Sequence, residues 1–237
     1  MAVAGGGAAS GPPPVPETPW LDAAADVVVV EGPDAATYLQ SQLSQELRDV
    51  AVGERRWSFV LEPGGKVAGL ARVHRVSEER FDLATDAGAG AALLARIDRF
   101  RIRVRAETRL EPAPEGVVVP ADLERARVLA GWPRIGAEIV LGETVPAETG
   151  LTGLAVNFRK GCYPGQELVE RMDSRGAEPP RSLRRLTVVE GTEPGAAVHD
   201  ASGVEVGVVT SVSGTDALAM VKRGADVGER VVHGRDS

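Results

Sequence analysis

Apolar and polar positions recur along this chain with two periods, one of strands and one of helices. VVVVEG, from Val27 to Gly32, is a short apolar run ended by glycine and predicts a buried strand. PDAATYLQSQLSQEL follows and predicts a helix. Pro33 suits a first turn, Asp34 favours the positive N-terminal end, and Leu39, Leu43 and Leu47 recur at four-residue spacing. ERRWSFVL and KVAGLARVHRV read as two strands joined by a tight hairpin at Glu62-Pro63-Gly64-Gly65. FDLAT predicts a third strand and AGAALLARIDRF a helix. In RFRIRVR, Arg99, Arg101, Arg103 and Arg105 alternate with Phe100, Ile102 and Val104, the period of a strand with one wet face. Those arginines serve either as a solvated face or as a site for an anionic partner. The elements sum to an α+β layer, a mostly antiparallel sheet with helices packed on one side.

From Leu110 to Pro120 the chain turns proline-rich, and the layer is expected to end or break there. LERARVLAGWP predicts a short helix closing at Gly131 and Pro133. Arg134 to Gly153 has little period and predicts a surface loop. QELVERM predicts another helix, and Glu178-Pro179-Pro180 a linker. Beyond it SLRRLTVVE, AAVHD, EVGVVTSV and ALAMVKR are short strands separated by glycine-containing turns, the pattern of a small antiparallel β-barrel. The division expected is a disordered tail over residues 1–19, a first domain over 20–172, a linker over 173–180 and a barrel over 181–237.

Composition narrows the classes. No apolar run approaches the roughly 20 residues of a membrane helix, and the Ala-, Gly- and Pro-rich start does not read as a signal peptide. With 27 basic and 34 acidic residues the net charge is −7, which argues against broad nucleic-acid binding. One cysteine among 237 residues rules out an internal disulfide framework and points to a reducing cytoplasm. It also rules out a cluster of four thiolates, or any stably bound metal of that kind, from a single chain. His74, His199 and His233 show no metal-ligand spacing. TDAGAGAALLA resembles a dinucleotide loop, but Leu93 stands at its third glycine position and no βαβ pattern surrounds it.

That single cysteine, Cys162, lies in KGCYPGQE, between Lys160 and a Pro164-Gly165 turn that feeds a helix. Nearby positive charge or a helix N-terminus favours a thiolate. Gly161 and Gly165 remove side-chain bulk on both sides, so a backbone or a ligand can approach closely. The other reading of the same residues is a cysteine packed as a small hydrophobe.

KGCYPGQE closely resembles the K-G-C-[FY]-x-G-Q-E signature of the YgfZ group of folate-binding proteins. This group is related to the mitochondrial iron–sulfur assembly factor and shares a fold with the glycine-cleavage aminomethyltransferase. GPDAATYLQSQLS is similar to the group's G-x-D-[AS]-x-x-[FY]-L-Q-G-Q-L-[ST], with Ser41 for the usual glycine. AGWPRIGAEI followed by Pro146, and VERMDSRG with Arg181, resemble the segments on either side of the signature.

The resemblance implies an aminomethyltransferase-like folate-binding domain followed by a small barrel. It implies a role in assembling or maintaining iron–sulfur enzymes, tRNA-thiolating ones included, with client or assembly proteins as partners. The functional thiol maps to Cys162. Around it Lys160 is expected to favour the thiolate by its charge, Gln166 and Glu167 to orient the loop, and Tyr163 to wall the pocket. For tetrahydrofolate or a derivative, Gln40 and Gln42 are the expected contacts to the pterin edge and Arg134 to the carboxylate tail. Two departures qualify the match. Aminomethyltransferases carry an acidic residue in the second hairpin where this chain has Ala68 and Gly69, neither of which moves a proton. Aminomethyl transfer is therefore expected to be lost, which leaves a folate-dependent one-carbon transferase as the alternative activity. The middle of the chain is also shorter than in the group, so the folate domain is a reduced one. A thiol redox enzyme is a third class, and it needs an external thiol because no resolving cysteine exists.

Overall fold

The computed structural model describes residues 16–174, 176 and 178–234. Most of the tail expected over residues 1–19 lies outside the described residues. The first half is a five-stranded antiparallel sheet in the order β2-β3-β4-β1-β5. Its strands are β1 (Ala25–Glu31), β2 (Arg55–Leu61), β3 (Val67–Arg75), β4 (Arg80–Asp86) and β5 (Glu107–Glu111). The helices around it are α1 (Pro19–Ala23), α2 (Ala35–Gln42), α3 (Gly90–Asp98) and α4 (Ala121–Leu129). The β2–β3 hairpin turns at Glu62–Gly65, where the Glu62 amide donates to the Lys66 carbonyl at 2.8 Å.

Both faces of this sheet are covered, not the single face expected. Val28, Val30, Val60, Val73 and Leu83 pack under α2 and α3. Trp57, Phe59 and Leu61, the alternate positions of β2, face a second core with Trp20, Trp132 and Tyr163. That is why the inner part of β2 is buried residue after residue. The second core draws on the turn-rich chain after Arg134. There α5 (Thr152–Ala155), which follows a 3₁₀ turn (Pro146–Glu148), contributes Leu154 and Ala155, with Leu151 just before it.

Two further expectations are corrected. The helix predicted to run on to Leu47 ends at Gln42, because Leu43 turns extended and pairs with Val60, and Ser44 donates to the Phe59 carbonyl. The arginine-striped segment is not a strand. Arg103 adopts a left-handed φ of 58°, and its neighbours reach separate carboxylates. Arg99 pairs with Glu62 at 3.1 Å, Arg101 with Asp98 at 2.9 Å and Arg105 with Asp34 at 2.8 Å. Neutralised one by one, they make neither a common face nor an anion site. The edge next to β1 is taken by β5 instead.

After α6 (Gln166–Ser174), a second antiparallel sheet runs β10-β6-β9-β8-β7. Its strands are β6 (Arg181–Thr187), β7 (Ala197–His199), β8 (Glu205–Ser213), β9 (Asp216–Lys222) and β10 (Glu229–Arg230). It is open among the described residues, where a closed barrel was expected. Its edge strands hold three and two residues, too few to pair across the gap. A cleft of about 780 Å³ lined by Val188, Val198 and Val227 lies between them.

The sheet docks through Leu183, Leu218, Met220 and Val231 around Val128 of α4. After β10 the chain returns to the first half. Gly150 has a φ of +75°, and a Cβ there would sit 2.4 Å from the Val231 carbonyl. The His233 amide donates to the Gly150 carbonyl at 2.8 Å, and the His233 ring lies tilted against Trp132 with centres 5.4 Å apart. No helix among the described residues is long and apolar enough to cross a membrane.

Candidate functional site around Cys162

The loop from Val156 to Gly165 crosses the C-terminal end of α2 and then starts α6. Gly165 fixes its exit. Its φ is +83°, and a Cβ would lie 2.6 Å from the Glu62 carbonyl oxygen, so the loop seats directly on the β2–β3 hairpin turn. Gly65 in that turn meets Leu168 of α6 in the same way. Two glycines thereby set the signature loop against the hairpin.

Lys160 anchors the other end. Its ammonium is buried and donates to the carbonyls of Gln40 at 2.6 Å, Leu43 at 2.5 Å and Gln45 at 3.3 Å. These are acceptors that α2 and the extended chain after it leave open. The ammonium also lies 5.1 Å from the centre of the Tyr163 ring. Burial pulls Lys160 down to about 8, with Glu46 opposing and Arg48 assisting. All three of its donors are spent on carbonyls, so Lys160 holds the loop to α2.

Tyr163 is buried in the second core and its hydroxyl has no hydrogen-bond partner among the described residues. Burial, reinforced by Glu170, pushes the phenol well above its usual range. Gln166 turns away from the loop, its side-chain amide donating to Glu170 one turn on. Glu167 is exposed on α6. Gly161 and Cys162 face outward into a cleft. Cys162 is exposed, and a Cβ at Gly161 would meet nothing within 4 Å.

This cleft has a volume of about 420 Å³ and is lined by Gln40, Ser41, Leu47, Arg48 and Arg75 beside Gly161 and Cys162. Gln42 is drawn inward instead, accepting from Arg96 at 3.4 Å and donating to the Ser41 hydroxyl at 3.1 Å. Arg134 lies elsewhere, in a second cleft of about 490 Å³ with Trp20, Asp86, Val118 and Glu124. It pairs there with Glu124 at 3.2 Å. The three side chains expected to hold a folate are thus not brought together. Ala68 is buried in β3, and a Cβ at Gly69 would lie 2.9 Å from Leu93. Neither position carries an acid, and a side chain at Gly69 would press on Leu93.

Asp86 was not singled out from the sequence; its one signal is a polar residue closing the alternating strand β4. Its Oδ2 accepts from the Ile135 amide at 2.9 Å. Burial pushes it up to about 6, against the pull of that hydrogen bond and of Arg127 and Arg134. A carboxyl raised in the folded state destabilises the fold when ionised, fully above about pH 6, and the penalty vanishes as pH falls below about 4. Asp86→Asn, which keeps the acceptor for Ile135, is expected to raise stability on the order of 2 kcal/mol at pH 7.5. Denaturant melts at pH 7.5 and pH 4 check it, and the two proteins should converge at the lower pH. Among the described residues no group of three or more His, Cys, Asp or Glu side chains is placed to hold a metal ion.

No model of a known protein family matches the chain. It is 33% identical over 96 residues to an iron–sulfur cluster assembly factor IBA57 homolog, mitochondrial, of Neurospora crassa. That match covers 40% of this chain and 22% of the relative. It is 32% identical over 101 residues to the tRNA-modifying protein YgfZ of an Enterobacter species, covering 42% of this chain and 26% of that protein. The chain therefore matches about a quarter of the length of these relatives. The crystal structure of glycine cleavage system aminomethyltransferase T from Bartonella henselae superposes with a TM-score of 0.68. At 19% identity it covers 84% of this chain and 76% of the other, a likeness of fold.

Proposed function

From its distant homology to the IBA57 and YgfZ proteins, in an aminomethyltransferase-like fold, we propose that this chain assists the assembly or maintenance of iron–sulfur enzymes, tRNA-modifying ones included, through the thiol of Cys162. One observation carries the reading. The loop buries Lys160, Tyr163 and Gly165 and leaves the cysteine exposed at a cleft. A cysteine kept as a small hydrophobe belongs inside; this one is presented. The cluster, or its sulfur, is cargo handled with a partner protein, since one thiolate cannot hold it alone. A reducing cytoplasm suits a thiol that must stay free.

Folate is the second part of the reading, and the cavities support it in altered form. Gln40 and Gln42 do not line the cleft that holds Arg134. That cleft offers a carboxyl (Asp86), an indole (Trp20) and a guanidinium (Arg134), the group types that suit a flat heterocycle with an anionic tail. Asp86 and Arg134 would hold a folate there. Ala68 and Gly69 leave the β3 hairpin without an acid, so aminomethyl transfer is not part of the proposal. We read residues 20–172 as the folate-binding unit and 181–237 as an appended β-unit, joined by 173–180.

Cys162→Ala tests the thiol. Because the side chain is exposed, its melting temperature should stay within about 2 °C of the parent, the range of a neutral surface change. Cells relying on the variant should lose most of the activity of selected iron–sulfur enzymes. Unchanged enzyme activities with normal amounts of the variant would sink the reading.

A further inference from the structure

We propose that Ser44 and Gln45 are the positioning residues of the Cys162 loop, tying its start to β2 so that the thiol is presented in one place. The inference rests on the reading of Cys162 as the reactive group and adds what fixes its position. Ser44 closes the stretch GPDAATYLQSQLS and Gln45 follows it, at the corner where the chain leaves α2. Both are buried, Ser44 at 0% and Gln45 at 9% exposure.

On one side the corner is bonded to β2. The Ser44 amide donates to the Phe59 carbonyl at 3.1 Å, and the Ser44 hydroxyl accepts from the Phe59 amide at 3.0 Å. The Gln45 amide donates to the Ser58 hydroxyl at 3.2 Å. On the other side it is bonded to the chain that leads into the loop. The single proton of the Ser44 hydroxyl has the Ala155 carbonyl as its nearest acceptor, at 2.7 Å against 3.2 Å for the Phe59 carbonyl. The Ser44 carbonyl accepts from the Asn157 amide at 2.9 Å. Gln45 Nε2 donates to the Leu154 carbonyl at 2.9 Å, and the Gln45 carbonyl accepts from the Lys160 ammonium at 3.3 Å. Leu154, Ala155, Asn157 and Lys160 are thereby all referred to Ser58 and Phe59.

The far end of the loop returns to the same strand. Gly165 seats on the Glu62 carbonyl, where a Cβ would lie 2.6 Å away, and Glu62 follows directly on the last residue of β2. Cys162 therefore sits on a segment held at both ends against one strand, and that strand pairs with β3 along its length. An exposed thiol on an untethered loop samples many orientations, and a partner that must meet it in one of them bears that ordering cost. The corner removes the cost beforehand. A hydroxyl suits the task because it donates and accepts at once. Ser44 uses both capacities, one toward the loop and one toward the sheet. Alanine supplies neither and leaves the buried Ala155 carbonyl and Phe59 amide unmet.

Hydrogen exchange on the purified full chain, read by mass spectrometry over residues 154–165, tests the tether. In Ser44→Ala these amides should exchange about tenfold faster than in the parent, the size of one lost buried hydrogen bond. Asn157 is the informative one. The variant keeps the Ser44 carbonyl to which Asn157 donates, so faster exchange there reports lost position and not a lost acceptor. Ser44→Thr, which keeps the hydroxyl, should restore the parent rate. Thr85→Val removes another buried hydroxyl, one that links β4 to the Leu70 carbonyl of β3, and should leave the loop at the parent rate. Gln45→Met, which removes the side-chain bond to Leu154, gives the same reading if Ser44→Ala does not fold. In cells, Ser44→Ala should lose most iron–sulfur enzyme activity at normal protein amounts, and Ser44→Thr should keep it. Unchanged loop exchange in both Ser44→Ala and Gln45→Met, or equal acceleration in Thr85→Val, would overturn the inference. A mobilised loop with full enzyme activity, in cells where Cys162→Ala loses that activity, would overturn it too and leave the proposed function standing. Full activity of Cys162→Ala would remove the proposed function and this inference with it.

Discussion

Replacing Arg127 with methionine is expected to cost about 4 kcal/mol, the range for breaking a buried ion pair from one side. The guanidinium side chain is 1% exposed and all of its donors are used. Nη1 donates to the Trp132 carbonyl at 2.6 Å and to Glu138 at 3.2 Å. Nη2 donates to Glu124 at 2.7 Å and to the Ser211 hydroxyl at 2.6 Å, and Nε to Glu124 at 3.0 Å. Glu138, itself fully buried, accepts from Ser211 at 2.6 Å. Arg127 thus joins α4, the loop after it and β8 of the second sheet at one point.

Methionine fills the volume but leaves Glu138 as a buried charge without its cation, and that uncompensated charge is the larger part of the loss. For a chain of this length the melting temperature should fall by roughly 8–16 °C. Adding Glu138→Gln should recover about 2 kcal/mol, which a double-mutant cycle measures. A loss under 1 kcal/mol for Arg127→Met would mean that apolar packing around Val128 and Leu218, and not this cluster, holds the second sheet in place.

Lys160→Met should be the next most damaging change, at about 3 kcal/mol. Two opposing effects set this size. The substitution strips three carbonyls of a charged donor, and each unmet buried acceptor costs about 1–3 kcal/mol. It also removes the cost of burying an ammonium, visible in the fall of Lys160 to about 8. The lost hydrogen bonds win because two of the three are short and buried.

The pH dependence carries a sign. A lysine whose folded value lies below the unfolded one binds fewer protons when folded between about 8 and 10.5. The parent protein therefore gains stability over that window and Lys160→Met does not. Denaturant midpoints at pH 7 and pH 9.5 should show the gap widening with pH. A gap that narrows would mean that the carbonyl hydrogen bonds, and not burial, set the folded value of Lys160.

Much of the first sheet was legible along the chain because its signals are local. The FDLAT run of β4, the Glu62–Gly65 turn and the AGAALLARIDRF run of α3 each act within a few residues. KGCYPGQE pointed to Cys162 in the same way, and Pro164-Gly165 did start a helix. The arginine stripe misled because its period said nothing of the acids that answer it. Asp34 and Glu62 come from distant parts of the chain and Asp98 from the helix just before the stripe, and each takes one arginine singly. α2 stopped early for the same kind of reason. Its leucine spacing continues, but pairing of Leu43 with Val60 and capping by Lys160, 117 residues away, outweigh one more helical turn.

By itself, then, the sequence determined the local elements and the identity of the reactive-looking loop, since propensity, turn chemistry and motif are read residue by residue. The tertiary structure decided which members of that loop are anchors and which one is presented. It turned Lys160 from a neighbour of the thiol in sequence into a clamp on α2, and it split Gln40 from Arg134 into different clefts. It also left the second sheet open. Each of these outcomes depends on desolvation and on hydrogen bonds between distant segments, and neither has a period to read.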